Sequence, residues 1–161
     1  MNYEKIIAEY LASTNEKVVE YVVKVLAGTE RGDLRLVDVT EREACDIKAK
    51  TGVDTTGFLR YLTADCIRHI TKRHGADGLS DSSMQSPEDI GRLEYVLQNY
   101  DEIRWDGKYD SQLQNADGTF SKQILYSKRI NGSYYVVQTV PDTKAKRLII
   151  KSAYKSGGKN K

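Results

Sequence analysis

The apolar pattern of this 161-residue chain changes period along its length, and that change limits the fold more than any other feature. Near the start, Tyr3, Ile6, Ile7, Tyr10 and Leu11 follow the i, i+3, i+4, i+7, i+8 stripe of an amphipathic helix. Val18, Val19, Val22, Val23 and Leu26 supply a second stripe. The last third reads differently: Gln123 to Ile130, Tyr134 to Val140 and Arg147 to Tyr154 are rich in Ile, Val and Tyr, the residues of strands. Asn131-Gly132 is a tight hairpin signal, and Pro141-Asp142-Thr143-Lys144 a turn. Helices first and a strand meander afterwards predict an α+β fold, a helical N-terminal half packed on a C-terminal antiparallel sheet.

Local signals punctuate the helical part. Ser13 to Glu16 and Thr40 to Glu43 have the capping-box form, so helices are expected to open there, with stops at Gly28 and near Gly52. Leu34 to Val39 reads as a short strand and Gly57 to Leu62 as extended chain. Thr63 is expected to cap a helix that runs through His74, with Gly75 at C′. Gly75 to Ser86 is a polar loop, and Ser86-Pro87-Glu88-Asp89 starts one helix that ends near Asn99. The chain divides on this reading into a helical region over 1–52, a domain over 53–155 and a basic tail over 156–161.

Composition narrows the class. With 39% hydrophobic and 30% charged residues the chain is of the globular type, and two cysteines, Cys45 and Cys66, cannot build a disulfide framework. No apolar run approaches the ~18 residues of a membrane span, and the N-terminus lacks a signal-peptide pattern, so a cytoplasmic or virion-associated protein without membrane contact is expected. The net charge of +2 hides an uneven distribution. Thr143 to Lys161 carries seven basic residues and no acid; Gly75 to Gly118 carries ten acids against three bases; Arg60 to His74 is basic again. If the two basic segments meet, they form a surface that attracts phosphates. A solvated, solubilising tail is the plainer alternative.

Only two histidines occur, His69 and His74, on one predicted helix. Five residues turn the helix through about 500°, leaving them about 140° apart rather than stacked in the i, i+4 manner of zinc helices. No third ligand cluster accompanies them, so no metal or cofactor is expected. His74 ends the helix, where the partial negative charge favours imidazolium. Asp65, one turn before His69, is placed to accept a ring N–H. Two histidines in different environments suit an acid and a base in one proton-transfer reaction. The alternative is structural: His74 as a half-buried cap on the Ile67 and Ile70 stripe, His69 as a surface residue. In the last strand, Ser152 and Tyr154 share a face by the two-residue period, with Lys151 and Lys155 beside them. Lys128 and Arg129 end one hairpin strand and Thr139 the next.

Gly57 to Gly75, with its H-I-x-x-R-H-G run, followed by Ser86-Pro87-Glu88-Asp89-Ile90, Tyr100 to Ile103, Tyr134 to Val137 and Leu148 to Tyr154, resembles the phage-encoded nuclease domains of the barnase–EndoU–colicin–RelE superfamily. Such domains occur in prophages, phage head-morphogenesis proteins and polymorphic toxins, and the similarity covers about Val53 to Lys155. The resemblance implies a metal-independent ribonuclease with helices on a four- or five-stranded antiparallel sheet and RNA as substrate. An immunity protein or a phage structural protein is the partner it allows for. The EndoU-type branch uses two histidines, a lysine and a Ser/Thr-x-Tyr pair. His69 and His74 match the histidines, and Ser152 and Tyr154 match the pair. Lys128 is the first choice for the lysine, with Lys151 second; Arg73, Lys151, Thr139 and Arg129 are the expected substrate contacts. His74 is expected to be the acid. Two other readings compete. A non-catalytic module would bind RNA or a phage protein through the same basic sheet. An ADP-ribosyltransferase would need a late-strand glutamate, but the only acid after Asp117 is Asp142, in a turn.

Overall fold

The computed structural model describes residues 3–105, 121–140 and 146–157. Within them the order is α1 (Tyr3–Ala12), α2 (Glu16–Leu26), β1 (Leu34–Arg35), α3 (Glu41–Thr51), β2 (Leu59–Leu62), α4 (Ala64–His74), α5 (Pro87–Gly91), α6 (Leu93–Asn99), β3 (Glu102–Arg104), β4 (Lys122–Arg129), β5 (Ser133–Val140) and β6 (Arg147–Ser156). The predicted turn at Pro141 to Lys144 lies outside the described residues. So do Asp106, Lys108, Asp110 and Asp117 of the acidic stretch and the tail lysines Lys159 and Lys161.

A helical half followed by a strand meander is the α+β arrangement that the change of period predicts. The sheet is larger than the meander, with strand order β1-β2-β6-β5-β4-β3. β3 to β6 pair antiparallel in sequence order, whereas β2, drawn from the helical half, lies parallel to β6 and carries β1 on its outer edge. Of the predicted strand at Leu34 to Val39 only Leu34 and Arg35 pair.

The caps follow the sequence with three corrections. Thr40 and Thr63 accept from the backbone N–H groups of Glu43 and Cys66 as N-caps should. α2 is capped by Asn15, whose side chain accepts from Lys17 and Val18, while Ser13 donates to the Tyr10 carbonyl instead. The helix expected from Ser86 to Asn99 breaks at Arg92 into α5 and α6. Gly91 ends α5 against α2, and a Cβ there would come within 2.7 Å of the Val19 side chain. Gly75 closes α4 in an extended conformation, not the left-handed one. At the hairpin, Asn131 and Gly132 both take positive φ, 45° and 104°, as the Asn-Gly signal requires.

One face of the sheet is the core. Tyr126, Tyr134, Val136, Leu148 and Ile150 are buried there beneath α1, α4 and α6, in a single cluster that runs from Tyr10 to Ala153. Arg60 of β2 and Glu43 of α3 form a fully buried ion pair, which the Tyr126 hydroxyl joins by donating to the same carboxylate. The opposite face carries half-buried Leu125, Tyr135, Val137, Ile149 and Tyr154. A β-bulge sorts the last strand between the faces. Ile150 stands opposite Gln138 and Ser152 opposite Val137, so Lys151 is the extra residue. Strict alternation would have carried Ser152 and Tyr154 into the core behind Leu148 and Ile150. The bulge turns them to the other face, beside Tyr135 and Val137.

Candidate nuclease site

α4 carries both histidines, and the loop after it fixes the second. The carbonyls of the last helical turn, otherwise without partners, are taken up by that loop: Leu79 N–H donates to Lys72, Ser80 and Asp81 N–H to Arg73, and Met84 N–H to His74. Two glycines make so tight a return possible. A Cβ on Gly75 would lie 2.5 Å from the Thr71 carbonyl oxygen, and one on Gly78 would lie 2.1 Å from that of Asp81. The loop thereby delivers Asp81, whose Oδ2 stands 2.9 Å from His74 Nδ1. Its other oxygen accepts from the Ser83 N–H, and Ser83 Oγ accepts from the Lys155 N–H, which ties the loop to β6. Burial alone would raise Asp81, but the hydrogen bonds from Ser83 and His74 outweigh it and hold its carboxyl below the ordinary range.

From His74 a chain of rings crosses to the sheet. His74 stacks on Tyr154 with centroids 5.1 Å apart and planes 22° apart, and Tyr154 meets Tyr135 at 5.0 Å. On the other side the His69 ring stands 6.3 Å from His74, edge to face. The helical angle places the two Cα atoms on different flanks, yet the rings reach each other at the end of α4. His69 is exposed and His74 is mostly covered. Partial desolvation, the His74 ring and the cations Arg73, Lys151 and Lys72 all disfavour the protonated form of His69, so its pKa lies below the usual 6.5. Burial, Tyr135 and Asp81 raise the Tyr154 phenol, which stays protonated at neutral pH.

The structure thus brings His69, His74 and Tyr154 together, with Lys151 near enough for its charge to act on His69 and Arg73 exposed in the same turn of α4 as His74. It does not bring Lys128. That residue shares a sheet face with Tyr134 and Lys155, opposite to the Tyr135 and Tyr154 face, and its ammonium is held 3.2 Å from Asp101. Lys155 is likewise engaged, 2.8 Å from Asp89. Asp65 binds Arg68 at 2.9 Å rather than His69, because the guanidinium three residues on offers a charged donor. Ser152 lies on the tyrosine face, but its hydroxyl is buried with no partner among the described residues. Thr139 spends its hydroxyl on the Ile149 carbonyl, and Arg129 is exposed at the end of β4, its backbone N–H bound to Asp101. Cys66 is buried, and burial pushes its thiol up to about 12. No group of three or more His, Cys, Asp or Glu side chains able to share a metal ion occurs among the described residues.

A family model described as phage-Barnase-EndoU-ColicinE5/D-RelE like nuclease 3 matches residues 38–161. The chain belongs to this nuclease family. No curated protein and no solved structure matches it. The match begins ahead of α3 and takes in α4, the Asp81 loop and the whole meander, so every residue of the ring cluster falls inside the nuclease domain. α1 and α2 precede the match but pack on its core, α2 against α4 and α5. Among the described residues no helix is long and apolar enough to cross a membrane. Sequence reasoning missed two members of the cluster, Asp81 and Tyr135. An aspartate two residues before a serine is the pattern of a side chain folded onto its own turn, and that signal would have singled out Asp81.

Proposed function

We propose that the nuclease is a metal-independent endoribonuclease that cleaves RNA by attack of the ribose 2′-OH on the adjacent phosphate. The observation that carries the reading is the contact of two histidines in unlike surroundings: His69 beside cations, His74 bound through Nδ1 to Asp81. His69, biased toward its neutral form, removes the 2′-OH proton as the 2′-O–P bond forms. His74, with Asp81 as its counter-charge, presents Nε2 and donates a proton to the leaving 5′ oxygen as the P–O5′ bond breaks, giving a 2′,3′-cyclic phosphate and a free 5′-OH. Each transfer contributes about 10²–10⁴-fold to the rate. In this scheme Lys151, Arg73 and the Tyr154 hydroxyl neutralise charge on the pentacovalent phosphorus. Lys151 replaces Lys128 in this scheme because Asp101 holds the latter on the other face.

The test is cleavage of end-labelled RNA in EDTA. The expected product is a 2′,3′-cyclic phosphate, lost in both His69→Ala and His74→Ala. RNA affinity without turnover in the unaltered protein would overturn the proposal in favour of a binding module.

A further inference from the structure

We infer, on the ribonuclease reading above, that the cleft next to Tyr154 is a second nucleotide subsite, which receives an unpaired base of the RNA strand away from the cleaved bond. A cleft of about 480 Å³ opens on the sheet, lined among others by Lys50, Arg104, Trp105, Leu125, Val137 and Tyr154. Tyr154 is shared, since one side of its ring stacks on His74 and the residue also borders the cleft. A ligand in the cleft is therefore one ring, that of Tyr154, removed from the His74 imidazole.

The pairing of β3, β4, β5 and β6 sets Arg104, Leu125, Val137 and Ser152 in one row across four strands, and Glu102, Ser127, Tyr135 and Tyr154 in the next. Three strand spacings make each row about 14 Å long. From the His74 end to the sheet edge, the surface runs from aromatic rings over an apolar floor of Leu125 and Val137 to cations. A free phosphate has no use for the floor, and an acidic peptide has none for the aromatic borders. A nucleotide uses all three: a flat base on apolar and aromatic surface, a phosphate against Arg104 and Lys50. Arg104 is exposed and its pairing with Glu102 is solvated, so the guanidinium can exchange that partner for a phosphate. A duplex keeps its bases stacked inside and cannot fill the cleft, so the subsite selects single strands.

Trp105 is the sole tryptophan of the chain, so its fluorescence reports the cleft directly. The probe is a short single-stranded oligodeoxyribonucleotide, which offers bases and phosphates but no 2′-OH to attack. Titration into the unaltered protein is expected to quench Trp105 saturably, and the annealed duplex or inorganic polyphosphate of equal charge is expected not to. Trp105→Leu should raise KM for single-stranded RNA roughly tenfold, the loss of about one base stack. Arg104→Gln, at an exposed site that the fold does not depend on, should lower the slope of log affinity against log salt by about one. No quenching by the single strand, equal quenching by polyphosphate, or an unchanged salt slope in Arg104→Gln would each overturn the subsite. RNA cleavage without quenching removes the subsite alone; quenching without cleavage keeps it and removes the histidine chemistry.

Discussion

The side chains of Arg60 and Glu43 are both fully buried, and Glu43→Ala isolates what that ion pair does. In the native protein one carboxylate oxygen of Glu43 receives both Arg60 Nη2 and the Tyr126 hydroxyl, and that hydroxyl accepts from Gln138 Nε2 at 2.8 Å. Removing the carboxylate leaves a guanidinium in the core whose Nε and Nη1 already have no described partner. Breaking a buried pair from one side costs about 3–5 kcal/mol, because the remaining charge is uncompensated. For a chain of this size each kcal/mol lowers Tm by about 2–4 °C, so Glu43→Ala should lose about 6–20 °C. Thermal unfolding followed by circular dichroism, with urea denaturation to check that the m-value is unchanged, measures it. The triple variant E43M/R60M/Y126F removes every charge and should lie much closer to the natural protein than the single variant does. A loss under about 1 kcal/mol in Glu43→Ala, or a triple variant worse than the single one, would refute the reasoning that an orphaned charge sets the cost.

Asp81→Asn should lower kcat by about 10–10²-fold, the equivalent of one charge-assisted hydrogen bond, with little change in Tm, as read by cleavage assay and thermal melt side by side. If His69 is the base of the proposed chemistry, its depressed pKa should put the acid limb of the kcat/KM profile below pH 6.5. Lys151→Gln removes one of the cations that disfavour protonation, so that limb should move to higher pH, and an unmoved limb would dissociate Lys151 from His69. Gly78→Ala places a Cβ within 2.5 Å of two carbonyl oxygens, so the loop must shift away from His74. Activity should fall as in Asp81→Asn, with a stability loss of about 1–3 kcal/mol in denaturant titration.

What the sequence made legible is what depends on local pattern. The three long strands, the Asn131-Gly132 hairpin and the caps at Thr40 and Thr63 are written in neighbouring residues, and they appear within a residue or two of where the pattern puts them. The pairing of β2 with β6 is not local: the paired residues Arg60 and Leu148 have no signal for each other, and only the closed core brings them side by side. The bulge is equally silent. Period-two spacing put Ser152 and Tyr154 on one face but could not say which, and one extra residue at Lys151 decides it. The turn with Ser83 marks Asp81, but its pairing with His74 stayed hidden because it lies across a loop whose course is set by Gly75 and Gly78.

The acidic middle of the chain acquires its meaning from the same pairings. Read as a sum, Gly75 to Gly118 opposes phosphate binding. Among the described residues three of its aspartates hold specific partners: Asp101 takes Lys128, Asp89 takes Lys155, and Asp81 takes the His74 imidazole. Lys72, Arg73 and Lys151 have no carboxylate partner among the described residues, and all three act on His69. Asp101 and Asp89 thus hold Lys128 and Lys155, while Lys72, Arg73 and Lys151 supply the positive charge that acts on His69. That is why Lys151, the bulge residue, and not Lys128 on the neighbouring hairpin, is the lysine for the proposed chemistry. It is also why neutralising Asp101 should leave the His69 limb of the pH profile unmoved, since Lys128 is not among the cations that act on that imidazole.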